Sequence, residues 1–358
     1  MTDEAARGKK IKFAGGYMKR KIISGLLSAA MAIIVVINPV GANEPEKTDL
    51  TYVEPGRYLI KLPVILAGAA GYFKEEGLNV DIRIAPGQRV YEALLAGDSD
   101  FIAVSYGSMM KINQQGKEIH SVCNITRNCL FHLVAKPSIK RIQDLKGKRI
   151  GVPKVGEEVT AVIRAALKKK GLDPDKDVKW VSVGIQATMV AAMKRGDIDA
   201  VGAVGEWRDH LLRAVPGTHV IIDYSKESDL KKYLGATTYP LAHVQMTADF
   251  IDKNPETTQK VVNAVMKSLN FINTHTPVEC IDVVKEKYWA EADRDVLVKY
   301  LTEIKDAFSP DGITQKSGYD VVVKVNSEAG LLKKPAPGFE VITDLRFVKK
   351  SNEVEKKK

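Results

Sequence analysis

The chain has 358 residues, of which 45% are hydrophobic and 27% are charged, proportions that are ordinary for a globular protein and exclude a disordered or collagen-like chain. Its length predicts about two domains, and three cysteines are too few for a disulfide scaffold. The formal net charge of +10 lies mostly at the ends, with +5 on residues 1–42 and +3 on the last ten residues, which leaves +2 for the body. Because a nearly neutral body has no general attraction to phosphate backbones, we predict no nucleic-acid partner.

Three kinds of segment follow one another near the N-terminus. Residues 19–21 are basic, residues 22–37 are almost entirely apolar, and the small-residue site Val40-Gly41-Ala42 comes next. This order is typical of a secretory signal peptide, so residues 1–42 are predicted to be an N-terminal extension and a signal peptide. Translation is predicted to start at Met18. Cleavage is predicted after Ala42, and the protein is predicted to reside in the periplasm. An uncleaved anchor is the alternative, although a membrane span needs about 20 apolar residues.

From Asp49 onward, short apolar runs alternate with segments of helical periodicity. This alternation predicts α/β architecture with mainly parallel sheets covered by helices. The predicted strands are 50–54, 80–85, 101–105, 119–125, 149–152, 178–183, 200–203 and 219–223. After residue 248 the alternation stops, and Pro255 and Pro277 begin long helical segments. The lysine-rich end, 349–358, is predicted to be a disordered basic tail.

Two stretches of the sequence match at an offset of 99 residues. Residues 91–103 and 190–202 each contain a helix end, a Gly-Asp-x-Asp turn and a strand. The repeat predicts two α/β lobes of related design. The Asp-x-Asp pairs are expected to bond backbone groups near the turn, since too few further acids lie nearby for a calcium loop. We therefore predict neither a metal site nor a cofactor.

The sequence contains no common catalytic motif. It lacks HExxH, GxSxG and P-loop sequences and has no GxGxxG after the first strand, so no catalytic residue is predicted. Cys123 and Cys129 lie at facing ends of two β runs and form either a disulfide, as an oxidising compartment allows, or two buried thiols. Cys280 lies in a predicted helix and is expected to be a buried thiol.

Candidate ligand-binding residues follow the predicted strands, because ligands of parallel α/β sheets lie beyond the carboxyl ends of the strands. The aromatic candidates either stack on a ligand or belong to the core. The hydroxyl and acidic candidates either cap helices or bind a ligand, since both roles use the same positions. The candidates are Arg57, Tyr58, Gly87, Gln88, Tyr106, Ser108, Glu157, Thr160, Glu206, Trp207, Tyr239 and His243.

Four ordered motifs give the chain a resemblance to a known family. They are residues 67–80 (AGAAGYFKEEGLNV), 92–101 (EALLAGDSDF), 142–152 (IQDLKGKRIGV) and 195–200 (RGDIDA). In order and spacing they resemble the periplasmic substrate-binding proteins of nitrate/sulfonate/taurine-type ABC importers, a group that includes thiamine-pyrimidine binders. The resemblance extends from about residue 50 to about residue 332.

The resemblance implies a two-lobed clamshell, type II-like, in which each lobe is a mainly parallel sheet flanked by helices and two crossover strands join the lobes. Lobe 1 is expected at 49–135, lobe 2 at 136–242, and a return to lobe 1 with C-terminal helices at 243–348. The implied function is an extracytoplasmic solute-binding protein, a monomer without enzymatic activity. It would capture a small organic solute between the lobes and deliver it to an ABC permease and its ATPase.

The sequence departs from the family pattern in two places. Val204-Gly205-Glu206-Trp207 stands where the family often has Trp-Asp/Glu-Pro-aromatic, and Glu157-Glu158 stands where small hydroxyl residues are common. Two acids beside the cleft would oppose a bare anion such as nitrate, so we expect an organic ligand with hydrogen-bond donors or a positive group. The alternatives are an enzyme of the same fold, desulfinase-like or pyrimidine-synthase-like with Cys123 as its thiol, and a periplasmic sensor partner.

Overall fold

The computed structural model describes residues 45–85 and 89–355. The predicted signal peptide, its start at Met18 and its cleavage after Ala42 lie outside these residues, as do the candidates Gly87 and Gln88. Pro45–Lys358 forms one compact unit. Within the described part of the chain, none of the helices combines the length and hydropathy that a membrane crossing requires.

The described residues form ten strands, arranged in two five-stranded sheets. In chain order the strands are β1 (Asp49–Glu54), β2 (Asn79–Ile84), β3 (Phe101–Ser105), β4 (Ile119–Asn124), β5 (Phe131–Ala135), β6 (Arg149–Val152), β7 (Lys179–Ser182), β8 (Ala200–Val204), β9 (His219–Asp223) and β10 (Ala242–Thr247). The helices that surround them are α1 (Leu62–Ala69), α2 (Tyr72–Glu75), α3 (Arg89–Ala96), α4 (Tyr106–Asn113), α5 (Glu158–Lys169), α6 (Gln186–Arg195), α7 (Trp207–Ala214), α8 (Glu227–Asp229), α9 (Ala248–Lys253), α10 (Pro255–Thr274), α11 (Pro277–Tyr288), α12 (Arg294–Ile304), α13 (Lys316–Glu328), α14 (Phe339–Ile342) and α15 (Arg346–Glu355). Short 3₁₀ turns cover Leu59–Lys61, Ile142–Leu145 and Lys305–Ala307, and a π turn covers Leu230–Leu234.

The two sheets have the same strand order. The first runs β2-β1-β3-β10-β4 and the second β7-β6-β8-β5-β9. In each sheet one strand, β10 or β5, is antiparallel to both its neighbours, while the other pairings are parallel. Each of these two strands follows, in the chain, a strand of the other sheet, so they are the crossover strands. The predicted α/β fold of two mainly parallel sheets flanked by helices is confirmed.

The sequence repeat occupies equivalent positions in the two sheets. Helices α3 and α6 are each followed by a glycine in the left-handed conformation, with φ angles of +81° and +80°, which glycine adopts without strain. Asp100 then accepts the backbone N–H of Thr51 at 2.8 Å, and Asp199 accepts that of Arg149 at 2.9 Å. The second acid of each Asp-x-Asp pair therefore has a structural role: it fastens β1 or β6 to the turn.

The boundary between the lobes differs from the prediction. The sequence predicts a first lobe that extends to residue 135, but β5 pairs with β8 and β9 of the second sheet. All five residues of β5 are buried, so its sequence has no polar alternation to show which sheet it joins. The first crossing between lobes therefore lies within residues 125–130, and the return crossing ends at Ala242, where β10 begins.

The C-terminal segment is helical as far as residue 355, which corrects the predicted disordered tail at 349–358. Phe347 and Val348 of α15 are buried, and Ser351 Oγ donates to Asn263 Oδ1 of α10 at 2.6 Å. The prediction is wrong for residues 349–355 because the lysine content dominates the composition, whereas a few residues on one face of α15 pack on α10.

The C-terminal helices contact both lobes. α10 packs against α1 and α15, whereas α12 contacts α7 and α13 contacts α5, both of which belong to the second lobe. α13 also contacts α4 of the first lobe. Side chains of α13 therefore reach the cleft between the two sheets.

Candidate ligand-binding site

A cavity of about 270 Å³ lies between the two lobes, where β1, β3, β6 and β8 end. Its polar and charged lining residues are Lys61, Ser105, Ser108, Glu157 and Glu158. The rest of the lining is apolar or aromatic: Pro55, Tyr58, Ile60, Val90, Tyr91, Val104, Phe131, Pro153, Val159, Val204, Trp207, Leu241 and Ala242. A mainly apolar wall with a few polar groups is characteristic of small-molecule sites. An adjoining pocket of about 520 Å³ shares some of these residues.

Four predicted binding residues line the cavity: Tyr58, Ser108, Glu157 and Trp207. Ser108 and Trp207 follow the equivalent strands β3 and β8, as the repeat predicts. The rings of Tyr58 and Trp207 meet edge to face across the cleft, with centroids 5.6 Å apart. The loops after the two matching strands therefore face each other across one cavity.

Tyr106 and His243 lie inside the first lobe and do not line the cavity. Both are fully buried, and their rings stack with centroids 4.1 Å apart and planes 3° from parallel. The Tyr106 hydroxyl shares a hydrogen bond with Thr343, and His243 Nδ1 shares one with Ser121 Oγ at 2.7 Å. Burial, with a smaller effect of the Lys61 charge, lowers the pKa of His243 to about 3, so its imidazole is neutral at ordinary pH.

Arg57 and Thr160 also lie outside the cavity lining. Arg57 is exposed, and its backbone carbonyl accepts the Trp289 indole N–H at 3.4 Å. The Thr160 hydroxyl is buried in the first turn of α5 and donates to the carbonyl of Lys154 at 3.5 Å. The Thr160 hydroxyl therefore links the first turn of α5 to the loop before it and does not cap the helix.

Glu158 joins the two lobes through hydrogen bonds. Its carboxyl accepts the hydroxyl of Ser105, the hydroxyl of Tyr239 at 2.6 Å and the amide N–H of Asn326 at 3.2 Å. Burial raises the pKa of this carboxyl, and the three donors oppose that rise. The predicted residue Tyr239 thus contacts Glu158 and does not line the cavity.

Gly107 allows this close approach of the lobes. A Cβ atom at this position would lie 2.6 Å from Glu158 Oε1 and 3.0 Å from Asn326 Nδ2. The absence of a side chain is therefore a condition for the hydrogen bonds of Glu158.

Glu206 makes a second polar contact between the lobes. Its carboxyl is buried and accepts the backbone N–H of Leu59 at 3.2 Å. Burial raises its pKa to about 7, against the effect of the hydrogen bonds that it accepts. Glu206 does not line the cavity, whereas its neighbour Trp207 does.

Two buried charged residues beside the cavity, Lys61 and Glu54, are not among the residues predicted to bind a ligand. Lys61 lines the cavity and is 4% exposed, and burial lowers its pKa to about 8. Glu54, at the end of β1, is 1% exposed, and burial raises its pKa to about 7. The signal for Lys61 is its position as a single cation within the apolar run Leu59–Val64.

The three cysteines are buried free thiols. Cys123 and Cys129 are therefore not joined, which decides between the two alternatives for this pair. Burial raises the pKa of the Cys123 and Cys129 thiols, and a protonated thiol is a poor nucleophile.

Solved proteins share this fold. A protein from Bordetella bronchiseptica RB50 superposes with a TM-score of 0.73 at 24% identity, over 87% of this chain and 98% of its own. The periplasmic nitrate-binding protein NrtA from Synechocystis PCC 6803 gives a TM-score of 0.69 at 14% identity, over 87% and 90%. The desulfurization enzyme DSZB gives 0.63 at 12% identity, over 86% and 100%. These similarities confirm the two-lobed fold.

Sequence comparison identifies the family. The candidate binding protein YtlA of Bacillus subtilis (strain 168) is 23% identical over 301 residues, which cover 82% of this chain and 87% of YtlA. A candidate binding protein of Brucella abortus (strain 2308) is 29% identical over 223 residues, 61% of this chain and 65% of that protein. The family model described as NMT1/THI5 like matches residues 61–279, more than half of the chain. The chain therefore belongs to the NMT1/THI5-like family, and its structural neighbours include nitrate- and sulfonate-binding proteins.

Proposed function

We propose that this protein is the extracytoplasmic solute-binding component of an ABC importer, which captures a small organic solute and delivers it to a membrane permease and its ATPase. The observation that carries the proposal is the cavity between the lobes, which both lobes line at the ends of equivalent strands. Its mainly apolar wall suits an organic solute. Membership of the NMT1/THI5-like family and the binding-protein relatives support the same function.

Closure around the solute is the proposed mechanism. Two segments, residues 125–130 and the return segment before Ala242, link the lobes, and hinge motion of such segments opens and closes a cleft. The contacts of Glu158, Glu206 and Trp207 with the first lobe form only when the lobes meet. A solute in the cavity adds contacts to both lobes and so favours the closed form.

The thiol chemistry argues against the enzyme alternative. Among the described residues that line the cavity, none is a cysteine. Cys123, the thiol considered for a desulfinase-like reaction, is 2% exposed and its pKa is raised by burial. The position of this thiol therefore supports binding without turnover.

A thermal-stability screen of the chain from residue 43 tests the proposal. The library contains sulfonates, nitrate, aromatic acids, pyrimidines, amines and polyamines. A ligand at 100 times its Kd adds about 2.7 kcal/mol of stability, so one chemical class should raise Tm without forming a product.

Trp207→Ala should abolish that gain because it removes part of the cavity wall. The matched control is Trp180→Ala, which removes a tryptophan of the same lobe whose indole N–H donates to the carbonyl of Pro174 and should leave the gain intact. Product formation would support the enzyme, and a screen without any stabilising compound would contradict a solute-binding role.

A further inference from the structure

Helix α12 contacts the second lobe at a place outside the cavity. The Tyr300 hydroxyl shares a hydrogen bond of 2.9 Å with His132 Nε2, and Glu303 Oε2 accepts a bond from Arg208 Nη2 at 2.5 Å. Tyr300 and Arg208 are almost fully buried. No residue of α12 is among the described residues that line the cavity. This contact is therefore separate from the candidate ligand-binding site.

Polar bonds join both ends of α12 to the second lobe. At the start of the helix, Asp293 caps the N–H of Val296 at 3.2 Å with one carboxylate oxygen and accepts Arg213 Nη1 at 2.7 Å with the other. At the end of the helix, the backbone carbonyl of Glu303 accepts the ammonium of Lys226. The whole length of α12 therefore lies along the second lobe.

A different set of α12 side chains joins the helix to the first lobe through α11. Leu297, Leu301 and Ile304 are buried in the same apolar core as Ile281 and Val284 of α11, and α11 in turn packs on α1 of the first lobe. Separating these apolar surfaces would return them to water, which is unfavourable. We therefore expect α12 to stay with the first lobe when the lobes part.

The contact of α12 with the second lobe can separate more easily. A groove of about 340 Å³ runs through it, with Lys299 and Glu303 of α12 on one side, so the packing is looser than in a protein core. Arg208 also pairs within its own lobe, with Asp209 at 2.7 Å and with Asp223 at 3.4 Å, and so keeps counter-charges after separation. Polar contacts of this kind are typical of interfaces between domains that move.

We infer that α12 is a latch: it moves with the first lobe, and its polar contact with the second lobe forms when the cleft closes and breaks when the cleft opens. This inference deepens the proposed function and rests on the closure mechanism proposed there. His132 and Arg208 directly follow Phe131 and Trp207, which line the cavity, so the latch holds the second-lobe wall without touching the solute. The latch thereby sets the closed fraction of the protein, and the apparent affinity for a solute falls with that fraction.

Glu303→Arg tests the latch, because it places a cation against Arg208. Spin labels are attached in pairs to cysteines introduced at exposed positions of the chain from residue 43: Lys253→Cys in the first lobe, Lys169→Cys in the second lobe and Thr302→Cys in α12. The three native thiols are buried and so react slowly with the label. Pulsed electron paramagnetic resonance then measures the three distances without any solute.

The ratio of closed to open molecules should fall at least about tenfold in Glu303→Arg, because like charges in contact oppose closure. The distance between the lobes and the distance from the second lobe to α12 should lengthen together, while the distance from the first lobe to α12 stays unchanged. Glu303→Gln removes the charge at nearly constant size and should shift the ratio in the same direction, so the result does not depend on how well an arginine is tolerated.

Asp282→Asn is the matched control. It removes a carboxylate that binds Arg294 at 2.7 and 2.9 Å within the pair α11–α12, and it should leave all three distances unchanged. If α12 keeps its distance from the second lobe in Glu303→Arg and moves away from the first, or if no distance changes, the latch is wrong. Because these measurements contain no solute, such a result leaves the binding function to the thermal-stability screen, whose failure would in turn leave the distances unaffected.

Discussion

At the scale of single residues, Glu158 is the side chain that most directly couples the two lobes. Its three donors come from the end of β3, from the return segment and from α13. Each bond to an ionised carboxylate is worth about 1.5–3 kcal/mol. Removal of the charge should therefore weaken the closed form even though the side chain keeps its size.

Glu158→Gln is expected to lower the free energy of unfolding by about 2 kcal/mol, because its amide NH₂ would face groups that also donate. Urea unfolding at pH 8, where the carboxylate is ionised to a greater extent, measures this change. The neighbouring substitution Glu157→Gln is the control and should stay within about 0.5 kcal/mol. Equal effects of the two substitutions would show that the hydrogen bonds of Glu158 do not hold the lobes together.

The residue scale also shows which parts of the site are predictable. Ser108 and Trp207 lie in the loops after strands that match in the repeat, so the repeat predicts which two loops face the cavity. It does not predict which residues of those loops line the cavity, since Tyr106 and Glu206 in the same loops do not. The partners of Glu158 are not predictable in this way, because Asn326 lies 168 residues away. In the sequence, nothing distinguishes Tyr106 and Tyr239 from Tyr58 as rings that could stack on a ligand. Only tertiary packing decides which of these rings reaches the cavity.

At the scale of elements, the parallel strands are predictable and the crossover strands are not. Parallel strands recur with helices between them, and that alternation is visible in the chain. β5 and β10 are buried almost throughout, so their residues show neither a solvent face nor the sheet to which they belong. Their assignment depends on pairing with strands from distant parts of the chain.

The helix α15 provides a test at the element scale. Phe347→Ala removes a buried ring and is expected to lower the free energy of unfolding by about 3 kcal/mol. Val354→Ala changes a residue of the same helix that is 53% exposed and should change stability by less than about 0.5 kcal/mol. Urea unfolding measures both. Equally small effects would mean that this segment does not pack on α10.

At the scale of the whole molecule, the two sheets repeat one strand order and exchange one strand each. The carboxyl ends of equivalent strands then face the same cleft, and the loops after β3 and β8 supply groups from both sides. The cleft therefore follows from the topology, whereas its chemistry depends on a few side chains that closure brings together. Glu206 is one of them, since it bonds to the first lobe from the second.

The burial of Glu206 couples this arrangement to pH. Its pKa rises from 4.5 in the free side chain to about 7 in the folded protein, so the folded state binds a proton that the unfolded state releases. The contribution of this group to stability is therefore complete below pH 4.5 and is lost as the pH rises through about 7.

Glu206→Gln removes this titration and keeps the acceptor for the N–H of Leu59. The stability of the variant relative to the original protein should rise by about 3 kcal/mol between pH 5 and pH 8.5. Urea unfolding over this pH range measures the difference in stability between the two proteins. The contributions of Glu54, His243 and other titrating groups to this difference cancel, because both proteins contain them. The exposed acid substitution Glu353→Gln is the control and should show no such rise. A difference that stays constant with pH would mean that Glu206 is not buried between the lobes.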